Sequence, residues 1–143
     1  MKVIVINGPN LNLLGQRDKD HYGVLTLESI EEILKKEFPD VEFSFYQSNV
    51  EGELINVIQA AEKQYDGLVI NPGGYAHTSV AVKDALEECH IPKIEVHLSH
   101  LAKREEFRQT LITAKSCYGY ISGFKENSYC AAVYLLKKLT ATD

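Results

Sequence analysis

The sequence predicts a three-layer α/β fold, in which helices cover both faces of a five-stranded parallel sheet. Short apolar runs rich in β-branched residues, such as 3–6, alternate with stretches of helical periodicity. Five such strand–helix units in 143 residues indicate an open parallel sheet, because each parallel strand needs a crossover connection. The flavodoxin-like strand order 2-1-3-4-5 is usual at this length, and without repeats or linkers we expect one domain, 1–143.

The first half of the chain contains two of these units. After the first strand, Thr26 is suited to cap a helix whose apolar residues recur at helical spacing as far as Phe38, and Pro39 ends it. We predict the second strand over 41–47 and a second helix over 53–65.

The second half continues the alternation. We predict strands over 67–70, 93–97 and 118–122, a helix over 78–89, a short helix over 105–111 and a closing helix over 126–139. In the closing helix we expect four residues to face the sheet: Ala131, Ala132, Leu135 and Leu136. Such folds bind ligands beyond the carboxyl ends of their strands, so the loops after strands 1, 3 and 4 are the candidate site.

The composition narrows the class of function. With 15 basic and 20 acidic residues the net charge is -5, which argues against nucleic-acid binding, since phosphate contacts need clustered Lys and Arg. No stretch approaches the roughly 20 apolar residues of a membrane span, and the first ten residues do not resemble a signal peptide. Cys89, Cys117 and Cys130 are widely spaced, as in proteins of reducing compartments. We therefore expect a cytoplasmic, soluble protein.

The loop after the first strand is long and polar. It runs from Asn7 to about Leu25, whereas such loops typically have about 2–6 residues. It contains Tyr22, and a phenol, with a reference pKa of about 10, is a scarce base at neutral pH. Arg17 suits the task of favouring the phenolate, because a guanidinium keeps its own proton. Tyr22 is thus a candidate general base, and an exposed loop tyrosine is the alternative.

The loop after the third strand, 71–79, combines paired glycines with polar side chains. The glycines allow close backbone approach to a ligand, and a hydroxyl at 78 or 79 can cap the next helix, whose free N–H groups attract a small anion. The pattern is neither a dinucleotide fingerprint nor a P-loop. We expect Asn71, His77 and Ser79 to contact a ligand; for His77, local capping or packing is the alternative.

The fourth strand places a carboxylate and a histidine on one face. Glu95 and His97 are two residues apart, so their side chains leave the same side of the strand. The carboxylate can fix the tautomer of His97 and favour its protonated form, as a general acid requires; a buried structural ion pair is the alternative. Metal binding by His97 and His100 is a weaker hypothesis. Arg104 and Arg108, four residues apart, are either solvated or recognise a carboxylate or hydroxyls.

Several stretches together resemble one family. They are INGPNLNLLGQRDKDHYG (6–23), QSNVEGELI (47–55), VINPGGYAHTSVAVKDAL (69–86), EVHLS (95–99) with REEFR (104–108), and ISGF (121–124). Over nearly its whole length the sequence closely resembles the type II 3-dehydroquinate dehydratases, or type II dehydroquinases. The resemblance implies a single catalytic domain, a hydro-lyase of the shikimate pathway and of aromatic amino acid biosynthesis. It implies conversion of 3-dehydroquinate to 3-dehydroshikimate by anti elimination through an enolate, with no cofactor and no metal.

The resemblance also implies roles for individual residues. Tyr22 would remove a proton alpha to the ketone, and Arg17 would lower its pKa. Asn10 would help hold the water that stabilises the enolate, and His97 would protonate the departing hydroxyl. The remaining implied roles are in substrate binding. The ring hydroxyls would be bound by Asn71, His77 and Arg108, and the substrate carboxylate by Leu98 and Ser99.

The resemblance further implies an oligomer. Asp84, on the helix after the glycine loop, is expected to reach the site of a neighbouring subunit, and trimers would group into a dodecamer. The expected partners are therefore the small-molecule substrate and other copies of the chain, with neither nucleic acid nor membrane. The alternative to an enzyme is a non-catalytic flavodoxin-like ligand-binding or scaffold module; a phosphoacceptor receiver is disfavoured, since Asn7 and Asn10 stand where it needs acidic residues.

Overall fold

The computed structural model describes residues 1–16 and 25–141 and confirms the predicted sheet. Its five parallel strands are arranged in the order β2-β1-β3-β4-β5. Their bounds are β1 Lys2–Asn7, β2 Glu42–Gln47, β3 Gly67–Asn71, β4 Lys93–His97 and β5 Gly119–Ser122. The order reverses between β1 and β3, which places the predicted binding crevice at their carboxyl ends.

Four α-helices of the described chain follow the strands. They are α1 Leu27–Glu37, α2 Glu51–Ala61, α3 Val80–Glu88 and α4 Glu126–Thr140. Thr26 caps α1 as predicted, because its hydroxyl accepts from the backbone N–H of Ser29 while the Ser29 hydroxyl accepts from Thr26. None of these helices combines the length and the apolar character that crossing a bilayer requires, in the part of the chain described.

The predicted short helix over 105–111 is wrong. The chain forms separate 3-10 turns at Leu101–Lys103 and Glu106–Arg108, and another at Thr113–Ser116. The side-chain amide of Gln109 donates to the carbonyls of Leu101, Arg104 and Glu105 at 2.8, 3.2 and 3.3 Å. The Leu101 and Glu105 carbonyls also accept the backbone N–H groups of Arg104 and Arg108, three residues further along, which is the spacing of 3-10 turns. The segment therefore wraps as a loop around the end of β4.

Two apolar cores lie on opposite faces of the sheet. On β1, Val3 and Val5 face α1 and α4, whereas Ile4 and Ile6 face α2 and α3. All four side chains are buried, as the continuous apolar run of a parallel strand requires. The sheet is thus rigidly held on both sides, and the loops at its carboxyl edge are anchored on a fixed frame.

The face that α4 presents to the sheet differs from the prediction. Ala132 and Leu136 are buried as expected, but Ala131 and Leu135 are exposed. Apart from Ser128, the buried residues are Tyr129, Ala132, Val133 and Leu136, which recur at i, i+3, i+4 and i+7. The helix is therefore rotated relative to the prediction, so that Tyr129 and Val133 enter the core in place of Ala131 and Leu135.

Candidate active site

A cavity opens at the carboxyl edge of the sheet, where the sequence predicts the site. The loops after β1, β3 and β4 line it. The lining residues are Pro9, Asn10, Leu11 and Leu14; Asn71, Gly73, Gly74 and His77; and His97, Leu98, Ser99, Leu101, Arg104 and Arg108. Seven of the predicted site residues, including His97 and Asn71, therefore share one cavity.

The loops after β1 and β3 pack backbone against backbone. The N–H of Gly8 donates to the Asn71 carbonyl at 2.8 Å, and a Cβ at Gly8 would lie 2.5 Å from the Pro72 carbonyl oxygen. Gly73 has a φ of +60°, and a Cβ there would lie 2.9 Å from the Pro9 carbonyl oxygen. Glycine is required at both positions, since any side chain would push the two loops apart.

Asn10 is held in a left-handed conformation by a neighbouring asparagine. Its φ is 70°, and its N–H donates to Asn49 Oδ1 at 2.9 Å. The same oxygen accepts from Gln47 Nε2 at 3.2 Å, and the hydroxyl of Tyr75 donates to the Asn49 carbonyl at 3.1 Å. Asn49 thus ties the loops after β1, β2 and β3 together around Asn10.

Two predicted catalytic residues, Arg17 and Tyr22, lie outside the described residues. Their roles stay predictions from the sequence. The described chain reaches Gln16 on one side and resumes at Leu25 on the other.

Glu95 and His97 form the hydrogen-bonded pair that their spacing predicts. His97 Nε2 lies 2.7 Å from Glu95 Oε2, and the Glu95 side chain is 0% exposed. Thr113 donates its hydroxyl to Glu95 Oε1 at 2.5 Å. Because a carboxylate only accepts hydrogen bonds, Nε2 carries the hydrogen directed at Glu95. Nδ1 is then the nitrogen of His97 that is available to a molecule in the cavity.

His77 lies beside His97, and a hydrogen bond also fixes its tautomer. Its Nδ1 lies 2.8 Å from the Thr110 carbonyl oxygen, which only accepts, so Nδ1 donates and Nε2 is left for a ligand. The centroids of the two imidazole rings are 6.2 Å apart, and the ring planes make an angle of 24°. Ser79, for which the sequence predicts a ligand contact, does not line the cavity. Its hydroxyl accepts from the Val82 N–H and donates to Glu51 Oε2 at 2.6 Å, so it serves as the cap of α3.

The ionisable side chains that line the cavity, within the described ranges, are arginine and histidine. Arg104 donates to Ser99 Oγ at 3.3 Å, and Arg108 Nε lies 3.0 Å from Glu105 Oε1. A backbone hydrogen bond and then the one from Arg108 lower the pKa of the Glu105 carboxyl, which keeps it an anion that orients Arg108. The lining is thus suited to a small molecule with a carboxylate and hydroxyl groups.

The turn between β5 and α4 holds the loop after β4. The N–H groups of Gly123 and Lys125 donate to the carbonyls of His97 and Leu98 at 3.2 and 3.0 Å. The hydroxyl of Ser122 donates to the Ser99 carbonyl at 2.8 Å. Lys125 has a φ of +51°. This conformation is strained for any residue that has a Cβ atom, whereas glycine adopts it freely. This turn fixes the backbone at 98–99, where the substrate carboxylate is expected.

The other predicted binding residue, Asp84, is not part of this cavity. It lies on an exposed position of α3 and is absent from the lining of the cavity. The expectation that it acts in the site of a neighbouring subunit stays a prediction. The metal hypothesis for His97 and His100 finds no support, since no group of three or more His, Cys, Asp or Glu side chains in the described chain is arranged to hold a metal ion.

Sequence reasoning missed three residues that support the site. Thr113 holds Glu95, Asn49 holds Asn10, and Tyr129 contacts Asn71 from α4. Only Tyr129 had a local signal, since the spacing 129-132-133-136 is that of a buried helical face. The other two contacts join segments that are 18 and 39 residues apart along the chain.

Comparison with known families shows to which family the chain belongs. A family model described as Dehydroquinase class II matches residues 1–137. The chain belongs to the class II dehydroquinase family. A similar curated protein, the 3-dehydroquinate dehydratase of Clostridium perfringens strain SM101, is 51% identical over 141 residues, which cover 96% of this chain and 97% of the relative. The 3-dehydroquinate dehydratase of Fusobacterium nucleatum is 48% identical over 143 residues, with 96% and 97% covered.

A solved structure of the dehydroquinase family has the same fold. The type II dehydroquinase from Butyrivibrio crossotus superposes with a TM-score of 0.93 and 45% identity, and the match covers 96% of this chain and 97% of that one. The family resemblance drawn from the motifs is therefore confirmed, as is the five-stranded order 2-1-3-4-5.

Proposed function

We propose that this chain, as one catalytic domain over 1–143, is a hydro-lyase that dehydrates 3-dehydroquinate to 3-dehydroshikimate by anti elimination through an enolate intermediate. The observation that carries the proposal is the His97–Glu95 pair at the end of β4, which faces a cavity whose ionisable lining groups are basic. The names of the relatives support the same substrate, since those curated proteins are 3-dehydroquinate dehydratases.

The first step of the proposed reaction breaks a C–H bond next to the ketone. Tyr22, as the phenolate, takes the proton, and the electron pair of the C–H bond moves toward the carbonyl oxygen to give an enolate. Arg17 favours the phenolate by its positive charge. Asn10, at the cavity wall, orients a water toward the enolate oxygen. One preorganised donor at such an oxyanion is typically worth about 2.7–4 kcal/mol of transition-state stabilisation.

The second step breaks the C–O bond of the leaving hydroxyl. The enolate re-forms its carbonyl, the new carbon–carbon double bond forms, and protonated His97 donates through Nδ1 so that the hydroxyl departs as water. Glu95 stabilises the imidazolium and fixes its ring, and the Thr113 hydroxyl fixes Glu95 in turn. An acid on β4 and a base on the loop after β1 can act on opposite faces of the substrate ring, as anti elimination requires.

Substrate binding draws on the rest of the cavity lining. The ring hydroxyls are bound by three side chains of the cavity lining: the amide of Asn71, the imidazole of His77 and the guanidinium of Arg108. The backbone at Leu98 and the hydroxyl of Ser99 are suited to the carboxylate. We propose that Asp84 of one subunit contributes to the site of another, consistent with its exposed place on α3.

We also propose the setting of the enzyme. The family resemblance supports trimers that group into a dodecamer, a cytoplasmic location and a place in the shikimate pathway. Large apolar side chains are exposed on the edge strand β5, including Tyr118 just before it and Tyr120 within it, as an assembly surface would need.

The purified chain is expected to convert 3-dehydroquinate into a conjugated enone, which is measured as a rise in ultraviolet absorbance. Activity is expected to survive a chelator, and also borohydride added together with substrate, because the proposed chemistry uses neither a metal nor a lysine imine. The borohydride treatment also removes any contaminating host enzyme that works through an imine.

Two results would count against the proposal. If absorbance does not rise, the chain is a non-catalytic flavodoxin-like ligand-binding or scaffold module. If borohydride with substrate abolishes the activity, the reaction proceeds through an imine and the roles assigned to Tyr22 and His97 are wrong.

A further inference from the structure

A buried tyrosine on α4 lies directly beneath the cavity floor. Tyr129 is 0% exposed, and its hydroxyl meets the side chains of Asn7 and Asn71, which are Cα partners at the ends of β1 and β3. Asn71 Nδ2 lies 3.0 Å from the hydroxyl oxygen, and the hydroxyl lies 2.5 Å from Asn7 Oδ1. Neither the chemistry proposed above nor the motifs of the sequence give this tyrosine a role.

Gly73, Asn71, Tyr129 and Asn7 are joined by a chain of hydrogen bonds, and one backbone group fixes the direction of each bond in it. The N–H of Gly73, which can only donate, lies 3.1 Å from Asn71 Oδ1. The other end of the same amide, Nδ2, must therefore face Tyr129 and donate to it. The tyrosine hydroxyl then directs its single hydrogen at Asn7 Oδ1, so the polarity of the whole chain from Gly73 to Asn7 is determined.

The ionisation state of Tyr129 keeps this polarity constant. Burial raises the pKa of the Tyr129 hydroxyl above its ordinary value, so the group stays protonated at neutral pH. It is thus a permanent donor to Asn7 and a permanent acceptor for Asn71. A carbonyl or an ionised phenolate in this place could not do both.

The consequence for the cavity lies in the second hydrogen of the amide. Asn71 is 3% exposed and lines the cavity, and within residues 1–16 and 25–141 only one of its two Nδ2 hydrogens has a protein partner. With Gly73 holding the oxygen and Tyr129 holding the nitrogen, the amide cannot rotate about its last side-chain bond. The remaining N–H is therefore presented in one direction.

We propose that Tyr129 is a positioning residue for substrate binding, which acts through Asn71 by fixing the plane and the direction of its amide. The proposal rests on the proposed function, in which Asn71 binds a ring hydroxyl. Tyr129 itself touches no substrate. Its effect is on the binding of the substrate, in the ground state and the transition state alike, more than on the chemical step.

The test is a double-mutant cycle between Tyr129→Phe and Asn71→Ala, read as kcat and KM for 3-dehydroquinate. Tyr129→Phe keeps the ring and removes only the hydroxyl, so we expect KM to rise about tenfold while kcat changes less than about threefold. In the Asn71→Ala background the same change is expected to alter KM by less than about twofold, because the residue through which it acts is gone.

The matched control is Val133→Ala, which lies on the same helix in the same core and is also 0% exposed. It is expected to lower the melting temperature and leave KM within about twofold of wild type, since a cavity in the core does not touch Asn71. An equal rise in KM for Val133→Ala, or a full effect of Tyr129→Phe in the Asn71→Ala background, would mean that Tyr129 only stabilises the core.

A second measurement separates failure of this proposal from failure of the proposed function. In a crystal structure of Tyr129→Phe we expect the Asn71 amide to have turned or to occupy two conformers; a single unchanged amide would overturn the proposal even if no variant turned over substrate. An inactive wild type would overturn the proposed function alone. If Tyr129→Phe does not fold, Asn7→Ala removes the acceptor of the same hydroxyl and is expected to give the same rise in KM.

Discussion

Replacing His97 with asparagine is expected to lower kcat by about 10²- to 10⁴-fold, the usual contribution of a positioned general acid. Asparagine has no proton to give to a departing hydroxyl, but its amide can still donate to Glu95. Asparagine is chosen because Glu95 is fully buried, and without a donor at position 97 its carboxylate would keep only the hydrogen bond from Thr113, which would destabilise the fold. The measurement is steady-state turnover of 3-dehydroquinate, with circular dichroism to show that the variant is folded.

The control for His97 is His90→Asn. His90 is exposed, follows the C-terminal end of α3 and does not line the cavity; its Nδ1 lies 2.8 Å from Glu62 Oε1. The control is expected to keep kcat within about twofold of wild type, as surface changes of this kind usually do. A folded His97→Asn enzyme with nearly full kcat would show that another group protonates the leaving hydroxyl, which would leave Glu95 and His97 as a structural pair.

Replacing Tyr22 with phenylalanine is expected to lower kcat by about 10²- to 10⁴-fold, since the general base is lost and only the ring remains. The change removes one oxygen atom, so we expect binding of a substrate analogue to persist. The measurement combines turnover with calorimetric titration of the analogue. This prediction comes from the motif alone, because Tyr22 lies outside the described residues.

A tyrosine elsewhere gives the matched control for this change. Tyr134 is exposed on α4 and does not line the cavity, and Tyr134→Phe removes the same atom. We expect it to leave kcat unchanged. If Tyr22→Phe binds the analogue and turns over substrate at the wild-type rate, Tyr22 is not the base and the first step of the mechanism is wrong.

Periodicity predicted most of the fold because the strands are short and buried on both faces. The bounds of β4 match the prediction, β1 is one residue longer at each end than the apolar run 3–6, and the other three strands differ by one residue at one end. The predicted helix over 105–111 was wrong because the backbone there closes separate 3-10 turns, to which the amide of Gln109 adds side-chain contacts that no apolar pattern reveals. The inward face of α4 was assigned one position away from the true one, since alanine and leucine occur on both sides of that helix.

The candidate site could be predicted wherever its residues follow the strands directly. Asn71, His97 and Ser99 lie at or next to strand ends, and parallel strands bring such ends together. The residues that hold them could not be found in this way. Thr113 reaches Glu95 from a loop, and Tyr129 reaches Asn71 across 58 residues of sequence, so both contacts depend on how the helices and loops pack.

The cavity between His97 and Asn71 is where 3-dehydroquinate is expected to lose water. A crystal structure of the chain with an unreactive substrate analogue tests it most directly. We expect the ring in this cavity, His97 Nδ1 within about 3.2 Å of the position of the leaving hydroxyl, and the Tyr22 oxygen within about 3.5 Å of the carbon that loses its proton, on the opposite face. An analogue bound outside this cavity, or with Tyr22 and His97 on the same face of its ring, would contradict the account.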